Sequence, residues 1–237
     1  MSISIHDYFE NIVWEGLFDD QKPVWAVLEK NVKENWLEKN LTPNASAIET
    51  QDGLVTKYQK VRVPRGTFEI YPGAFIKDTQ IEISEGCIIE SGAFLAGPTL
   101  LGPQTIIRQG AYVRGGVITA SDCVIGHATE VKSSIFFTGA KAAHFAYVGD
   151  SVLGQHVNLG AGTKISNLKI TETPIVILAE GKEFKTGLRK FGAILGDGVQ
   201  TGCNSVLNPG TILGKGSMVY PASAPKAGVY KAKSIIR

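Results

Sequence analysis

The sequence feature that most constrains the fold is an aliphatic residue that recurs every six positions between residues 83 and 137. The row consists of Ile83, Ile89, Leu95, Leu101, Ile107, Val113, Thr119, Ile125, Val131 and Phe137, and only Thr119 is not apolar. A second row keeps the same period two residues earlier, with smaller side chains that include Cys87 and Cys123. Because one such unit cannot bury its side chain alone, the repeat indicates a solenoid whose units stack on one another.

The period of six also indicates which kind of solenoid to expect. A helix repeats an apolar face at 3.6 residues and a flat strand at two, so a period of six fits short strands joined by turns. Glycines such as Gly86, Gly92 and Gly110 supply the permissive backbone that these turns need. Three hexapeptides make one triangular coil of about 18 residues. The sequence therefore predicts an all-β solenoid, a left-handed parallel β-helix, with a short α-helical N-terminal cap.

The N-terminal 52 residues lack the hexapeptide period. Apolar residues spaced by three and four predict a helix that starts near Pro23 and carries Trp25, Leu28, Val32 and Trp36 on one face. A second, shorter helix is expected from Phe9, Ile12, Val13 and Leu17. We expect this helical cap to cover the open end of the solenoid, whose edge strands could otherwise pair with another chain. Residues 40–52 are polar and are expected to be a linker.

Two interruptions divide the repeat region, which we assign to residues 53–228. After Phe137 the row changes phase and continues at Val148, Leu153 and Leu159, so the segment 139–147 is displaced from the regular coil. Loops that leave a regular scaffold often carry function. Residues 167–190 form a second interruption, after which the row resumes in register with Leu153; this pattern predicts an inserted arm. Residues 229–237 are expected to form a basic C-terminal tail.

Composition limits the partners and the compartment. The chain has 24 basic and 22 acidic residues and a net charge of +2, so neither a polyanionic partner nor nucleic-acid binding is expected. Its apolar runs are well below the roughly 20 residues that span a bilayer, and the N-terminus does not resemble a signal peptide. Cys87 and Cys123 fall in the inward row and are interpreted as core residues. These features predict a cytoplasmic protein that does not associate with membranes.

Among four histidines, His144 has the most unusual context, because it lies in the displaced segment between small residues and the aromatic Phe145 and Tyr147. An imidazole in such a loop suits general-base catalysis, and a structural role is the alternative. A zinc site built from His127, His144 and His156 is a further alternative, although these histidines lack a closely spaced pair. No metal is therefore expected.

Four segments in order carry a resemblance to a known family: RQGAYV from Arg108, GHATEVK ending at Lys132, AHFAYVGD ending at Asp150, and VNLGAGT ending at Thr163. Together they resemble the acetyltransferase half of bifunctional glucosamine-1-phosphate acetyltransferase/N-acetylglucosamine-1-phosphate uridylyltransferases. The later segment TGLRKFGAILGD, ending at Asp197, is similar to archaeal-type sugar-1-phosphate members. The resemblance covers about residues 65–225.

The resemblance implies roles for the sugar-binding side of a site. His144 corresponds to the family's catalytic base, which takes a proton from the sugar amine as that amine attacks the thioester of acetyl-CoA. Arg108 and Lys132 correspond to residues that hold the sugar phosphate, a role that suits cationic side chains. Tyr147 and Asn158 correspond to residues that contact the sugar and orient its amine. Solvated turn positions would look the same for Arg108 and Lys132, and Tyr147 could instead pack against a neighbouring subunit.

Three further residues are assigned by the same resemblance. Lys190, with Arg189 as the second choice, corresponds to another phosphate-binding lysine. Ala161 and Cys203 fall where the family contacts the co-substrate acetyl-CoA, and a packing role remains open for Cys203. No activated thiol is indicated, because no base is adjacent to this cysteine in the sequence.

The resemblance implies an acetyl-CoA-dependent N-acetyltransferase acting on an amino-sugar phosphate, with glucosamine-1-phosphate as the expected acceptor, in cell-envelope precursor synthesis. Members of the family are trimers, so a homotrimer is expected. No nucleotidyltransferase domain is expected, because a helical segment and linker stand in its place. The alternative is a non-catalytic module that binds a sugar phosphate or sugar nucleotide and partners a separate nucleotidyltransferase. Acyl transfer to a different sugar is a third possibility.

Overall fold

The computed structural model describes residues 3–179 and 181–237. Within these residues the chain forms one α-helix, α1 (Val32–Asn40), and three 3-10 helices, at Ile5–Asp7, Val24–Leu28 and Ala45–Ala47. The remaining regular structure consists of 27 strands, most of them two or three residues long. Strands this short are what a coil with three flat sides and tight corners permits.

The strands of the first coils are β1 (Gln59–Val63), β2 (Gly66–Ile70), β3 (Phe75–Ile76), β4 (Ile81–Ile83), β5 (Ile88–Ile89), β6 (Phe94–Leu95), β7 (Thr99–Leu101), β8 (Ile106–Ile107) and β9 (Tyr112–Val113). The middle coils contain β10 (Val117–Thr119), β11 (Val124–His127), β12 (Glu130–Lys132), β13 (Ile135–Phe136), β14 (Lys141–His144), β15 (Tyr147–Gly149), β16 (Val152–Leu153), β17 (Asn158–Leu159) and β18 (Lys164–Ile165). The later strands are β19 (Val176–Ala179), β20 (Lys182–Lys185), β21 (Ala193–Leu195), β22 (Gln200–Thr201), β23 (Val206–Leu207), β24 (Thr211–Leu213), β25 (Met218–Val219), β26 (Gly228–Tyr230) and β27 (Ile235–Ile236).

Three long sheets form the sides of the solenoid in the described chain, and we name them by their strand counts. The ten-strand sheet has the order β1-β2-β5-β8-β11-β14-β17-β22-β25-β27. The eight-strand sheet has the order β26-β24-β21-β16-β13-β10-β7-β4, and the seven-strand sheet β23-β18-β15-β12-β9-β6-β3. Successive coils pair in parallel, and the antiparallel pair β1–β2 starts the stack. The predicted all-β parallel solenoid is therefore confirmed.

The interior of the solenoid is filled by the two predicted rows. The aliphatic positions from Ile83 to Val131 are at most 1% exposed. Thr119, the polar exception, is satisfied there, because its hydroxyl lies 3.1 Å from that of Thr105 and accepts the Gly102 amide at 2.9 Å. Burial raises the pKa of Cys87 to about 12, which fits the predicted role of this thiol as a core residue.

The coil that ends in β13 differs from the prediction by one residue. Val113 pairs with Val131, at a full coil of 18 residues, whereas Thr119 pairs with Phe136. The coil from Thr119 to Phe136 is therefore one residue shorter than the regular repeat. Phe136 therefore takes the inward position that the period assigns to Phe137. Phe137 points to the opposite face, where its ring stacks on Phe9 with centroids 4.6 Å apart.

The N-terminal segment covers the outer face of the eight-strand sheet, and this differs from the predicted cap over the open end. Its apolar side chains form a second core with Ile118, Ile135, Phe137, Val152, Ile194 and Ile212 of that face. Regular helix is also shorter than predicted, because Asn31 has φ 68° and separates the 3-10 helix at Val24–Leu28 from α1. The helix expected between Phe9 and Leu17 is absent from the described chain. Phe9 and Leu17 are both buried in the second core, but no regular helix connects them.

The expected linker and the expected C-terminal tail both pack into the solenoid, which was not predicted. Ala45 and Ile48 of the expected linker are buried in the interior core, and the Asn44 side chain bonds both backbone groups of Ile83 at 2.8 and 3.0 Å. This segment, and not the N-terminal helix, therefore packs at the start of the solenoid. At the other end, most of β26 and all of β27 fall in the expected basic tail, and these strands pair with β24 and β25.

The arm leaves the coil after Asn167 and folds back onto the solenoid. Strands β19 and β20 form an antiparallel hairpin, and the coil then resumes with Leu195 paired to Leu153. Ile175 and Ile177 of the arm join the second core beside the N-terminal segment. No helix in the described residues has the length and apolar character needed to cross a bilayer.

Candidate functional site

One corner of the solenoid collects several of the predicted residues. The chain turns there from the ten-strand sheet into the seven-strand sheet, and we call it the histidine corner because it contains His127 and His144. Backbone hydrogen bonds stack its successive turns: the Gly162 amide donates to the His144 carbonyl at 3.0 Å, and the Asn204 amide to the Ala161 carbonyl at 2.8 Å. His144, Ala161 and Cys203 therefore lie on three consecutive coils of one edge.

The surroundings of His144 leave its imidazole accessible. It ends β14 directly beside His127 of β11, and both residues are on the protein surface. The Phe145 ring, 53% exposed, contacts the His127 ring edge to face with centroids 5.1 Å apart. His127 Nδ1 lies 3.1 Å from the Gln109 carbonyl, so this nitrogen carries the proton in that contact. The arrangement places an exposed imidazole beside a second, oriented one.

Close backbone approach is built into this corner by glycine. A side chain at Gly126 would collide with the Ala143 backbone of the next coil, and one at Gly160 would collide with the turn that contains Cys203. The positive φ of Phe145, 50°, completes the sharp turn after His144. The local sequence therefore fixes the separation of the turns that carry His144, Ala161 and Cys203.

A second corner, between the seven-strand and eight-strand sheets, contains Lys132, and we call it the lysine corner. Lys132 Nζ donates to Asp150 Oδ2 at 2.7 Å, and the two side chains are only 15% and 13% exposed. Asn167 also donates to Asp150 Oδ2, and it accepts from the Tyr147 hydroxyl at 3.3 Å. Burial, reinforced by Glu130 and Asp150, raises the pKa of Tyr147, so its phenol stays a neutral donor at physiological pH.

Arg114 belongs to the lysine corner, one coil before Lys132. Its backbone amide donates to the Val131 carbonyl, and its guanidinium forms an ion pair of 2.6 Å with Glu130. Arg108 instead follows β8 at the histidine corner, where its amide donates to Ile125. The two arginines therefore lie at different edges of the molecule, and only Arg114 lies at the same edge as Lys132.

The remaining predicted residues extend both groups. Lys190 ends the arm beside Leu168, at the lysine corner, and is exposed. Arg189 forms an ion pair with Glu172 at 2.8 Å. Asn158 starts β17 in the ten-strand sheet and is exposed on that face. Within one protomer the structure thus brings Lys132, Tyr147 and Lys190 to one edge.

The other group, with His144, Asn158, Ala161 and Cys203, lies across the seven-strand sheet from the lysine corner. His144 and Gly149, the strand partner of Lys132, are separated by the sharp turn at Phe145 and by strand β15. The three histidines of the zinc alternative are also divided, because His156 follows the eight-strand sheet at a third corner. Within the described residues, no group of three or more His, Cys, Asp or Glu side chains has metal-binding geometry.

Sequence reasoning missed Arg114, Asp150 and Asn167 as members of the lysine corner. The period itself could have found Arg114, because this residue occupies the same position as Lys132 in the preceding coil. Asp150 and Asn167 each lie two positions after an inward residue, one position later in the repeat than Arg114 and Lys132. Their hydrogen bonds depend on side-chain directions that the period does not give.

A family model described as the GMPPB C-terminal domain matches residues 95–222, a region that includes both corners. Among relatives, the bifunctional sugar-1-phosphate nucleotidylyltransferase/acetyltransferase of Sulfurisphaera tokodaii is 31% identical over 212 residues, which are 90% of this chain and 47% of that protein. The bifunctional protein GlmU of Methanococcus vannielii is 36% identical over 109 residues, 46% of this chain and 26% of that protein.

One further match is longer but has a lower sequence identity. The bifunctional protein GlmU of Rippkaea orientalis is 27% identical over 224 residues, 87% of this chain and 43% of that protein. The chain therefore spans less than half of the length of each of these relatives. Among solved structures, the polysialic acid O-acetyltransferase OatWY matches with 13% identity and a TM-score of 0.29, covering 65% of this chain and 85% of that chain, and a score this low supports no conclusion.

Proposed function

Because the chain belongs to the family of GMPPB C-terminal domains, with relatives named as nucleotidylyltransferase/acetyltransferases, we propose that it is an acetyl-CoA-dependent N-acetyltransferase of an amino-sugar phosphate. The expected acceptor is glucosamine-1-phosphate. The observation that carries this proposal is the stack at the histidine corner, which puts the exposed His144 next to Ala161 and Cys203 on consecutive coils.

In the proposed reaction, His144 accepts a proton from the sugar ammonium or amine as the amine nitrogen attacks the acetyl carbonyl carbon. A new C–N bond forms, the C–S bond breaks, and the proton taken up by His144 passes to the leaving sulfur, so that CoA leaves as the thiol. Acetyl-CoA would lie along the histidine corner past Ala161 and Cys203. An accessible imidazole is suited to this task because it can hold and release a proton near neutral pH.

The phosphate is proposed to bind at the lysine corner, through Lys132 and Lys190, with Tyr147 as a neutral hydrogen-bond donor. Arg114 joins this group in the proposal, because it lies at the same edge as Lys132, and Arg108 stays a sequence-based candidate. Asn158 would contact the sugar. Since these residues lie on both sides of the seven-strand sheet, we propose that a neighbouring protomer completes the site in a homotrimer of left-handed β-helices.

The test is release of CoA thiol from acetyl-CoA in the presence of glucosamine-1-phosphate, measured for the wild type and for His144→Ala. The wild type is expected to turn over, and the variant is expected to lose at least about 100-fold in kcat, the range typical of a general base. His156→Ala, an exposed histidine at the third corner, serves as the matched control. Full activity of His144→Ala would remove the proposed base. Binding without turnover by the wild type would favour a non-catalytic module that partners a nucleotidyltransferase.

A further inference from the structure

An open cavity of about 680 Å³ lies beside the lysine corner and is lined by three parts of the chain. The corner contributes Ser133 and Asp150, the arm contributes Leu168 and residues 187–190, and the N-terminal segment contributes residues 28–31 with the first turn of α1. The N-terminal segment, whose packing covers the neighbouring sheet, therefore also forms a wall of the cavity that contains Lys190.

Lys33 is the most unusual residue in that wall. Its side chain is almost completely buried, with 2% exposure, and it lines the cavity from the first turn of α1. No hydrogen bond or ion pair joins its ammonium group to another described residue, and that group is not among the buried polar atoms that lack a partner, so it keeps access to the cavity. The nearby Asp150 oxygen is already shared by Lys132 and Asn167. The buried stem of Lys33 therefore holds a cation at the cavity surface, where a ligand can reach it.

The other charges around the cavity also favour an anion. Lys30 and Lys190 line it and form no ion pair among the described residues, whereas Arg189 is paired with Glu172. Glu29 and Glu34 also line the cavity and reduce its positive charge, but neither bonds Lys33. Helix α1 begins there without a side-chain cap on its first amides, which adds further donors.

We propose that Lys33 is a ligand of the acceptor's phosphoryl group, so that the N-terminal segment forms part of the acceptor site. The proposal rests on the proposed function for the identity of the ligand, and it adds that a phosphate monoester of sugar size is required. A dianionic phosphoryl group offers three acceptor oxygens, which matches the unpaired ammonium groups of Lys33, Lys30 and Lys190. The cavity volume leaves room for the attached sugar.

Titration calorimetry on the full chain tests this assignment with glucosamine-1-phosphate, inorganic phosphate and glucosamine as probes. Lys33→Met is expected to weaken glucosamine-1-phosphate binding at least about tenfold, because a charge-assisted contact is lost. Lys33→Arg should restore most of the affinity. Lys39→Met, on the exposed side of the same helix, is the matched control and should bind as the wild type does.

Three outcomes overturn the proposal: equal affinity of Lys33→Met and the wild type, no binding of glucosamine-1-phosphate by the wild type, or inorganic phosphate binding as tightly as the sugar phosphate. The last result would mean that the cavity holds a free anion. Thiol release from acetyl-CoA separates this test from the proposed activity. Lys33-dependent binding without turnover would support Lys33 as a ligand and contradict the proposed activity. Turnover with an unchanged KM in Lys33→Met would support the activity and contradict the role of Lys33.

Thermal unfolding supplies a readout that a merely structural lysine would not produce. Burial lowers the pKa of Lys33, so its charged form destabilises the ligand-free fold. Lys33→Met is therefore expected to raise Tm without ligand and to reduce the Tm increase caused by glucosamine-1-phosphate. If Lys33 only supported Asp150, the variant would instead lower Tm without ligand, and the proposal would be overturned.

Discussion

Arg114 and Lys132 lie one coil apart at the lysine corner, and each is held by a carboxylate, Glu130 and Asp150 respectively. These ion pairs orient the two cations before any ligand binds. Because the Arg114–Glu130 pair is more exposed than the Lys132–Asp150 pair, its guanidinium can turn toward a phosphate with little rearrangement. Arg108 lies at the histidine corner and therefore does not share an edge with Lys132.

We therefore expect Arg114→Ala to raise the KM for glucosamine-1-phosphate about tenfold or more, with a smaller change in kcat, since a phosphate contact stabilises the bound substrate and the transition state alike. Steady-state kinetics with varied sugar phosphate measures this effect. Arg108→Ala tests the sequence-based assignment in the same assay. A larger rise in KM for Arg108→Ala than for Arg114→Ala would contradict this prediction and indicate that the phosphate binds at the histidine corner.

The three thiols should differ in reactivity because the thiolate is the reactive species. Burial raises the pKa of both Cys87 and Cys123 to about 12, so neither forms appreciable thiolate at pH 8. Cys203 is exposed at the histidine corner. Iodoacetamide at pH 8 is expected to label Cys203 alone in the native chain, and all three cysteines in denaturant. Labelling is read by mass spectrometry of peptides. Native labelling of Cys87 would contradict its burial.

At the scale of elements, the contact between Phe9 and Phe137 joins the N-terminal segment to the solenoid. The Phe137 ring also meets Trp14 edge to face, with centroids 4.9 Å apart. Asp197 adds polar anchors, because its amide donates to the Tyr8 carbonyl at 2.9 Å and its carboxylate accepts from the Glu10 amide at 2.9 Å. These contacts add to the second core that packs the segment against the eight-strand sheet.

Phe137→Ala is expected to loosen the N-terminal segment, because removing a buried phenyl ring costs about 3–5 kcal/mol. Limited trypsin digestion should cut after Lys30 faster than in the wild type, while the circular dichroism of the β-sheets stays unchanged. Phe136→Ala is the matched comparison, since Phe136 fills the solenoid interior and its loss should lower the main thermal transition. If Phe137→Ala produced that second result instead, the register described for β13 would be wrong.

The same pair of phenylalanines illustrates what the sequence could predict. The six-residue period placed the inward positions from Ile83 to Val131 correctly, because each is set by local turn geometry and by stacking on the previous coil. At Phe136 and Phe137 either residue fits the pattern, and only the aromatic partners of Phe137 decide which one turns outward. Those partners are more than a hundred residues away in the chain and leave no local period.

In the candidate site, too, some features could be predicted from the sequence and others depend on long-range packing. Residues His144, Ala161 and Cys203 could be grouped from motifs, and the structure adds that backbone bonds stack their turns. The buried Lys33 could not be predicted, because its environment is created by the packing of the N-terminal segment against the arm and the lysine corner. Nothing in the residues around Lys33 marks it as different from Lys30 or Lys39.

For the whole molecule, the three sides of the solenoid are unequal. The N-terminal segment and the arm cover the outer face of the eight-strand sheet. The seven-strand sheet instead presents an aromatic row in which Phe94 stacks on Phe75 and meets Tyr112, each with centroids 5.2 Å apart, and Tyr112 is 44% exposed. Among the described residues, the ten-strand and seven-strand faces are therefore the uncovered sides of the solenoid, and the proposed homotrimer would join these two different surfaces.

If a site combines Asn158 of one protomer with Lys132 of the next, two inactive variants should complement each other. Asn158→Ala and Lys132→Ala are each expected to have low thiol-release activity. Refolded together in equal amounts, they should recover about one quarter of wild-type activity, because random assembly gives an intact Asn158 facing an intact Lys132 at one interface in four. Sedimentation should give three chains per particle.

The control is the same pair of variants, mixed only after each has assembled separately. Each trimer then contains one kind of variant chain, and the mixture should recover no activity. The double variant, Asn158→Ala with Lys132→Ala in one chain, refolded with wild type separates complementation from simple dilution. In that mixture, activity should fall because one quarter of the interfaces lack both residues and half lack one. Recovery no greater than the sum of the two parents would mean that Asn158 and Lys132 serve the same protomer's site, and that the seven-strand sheet does not divide it.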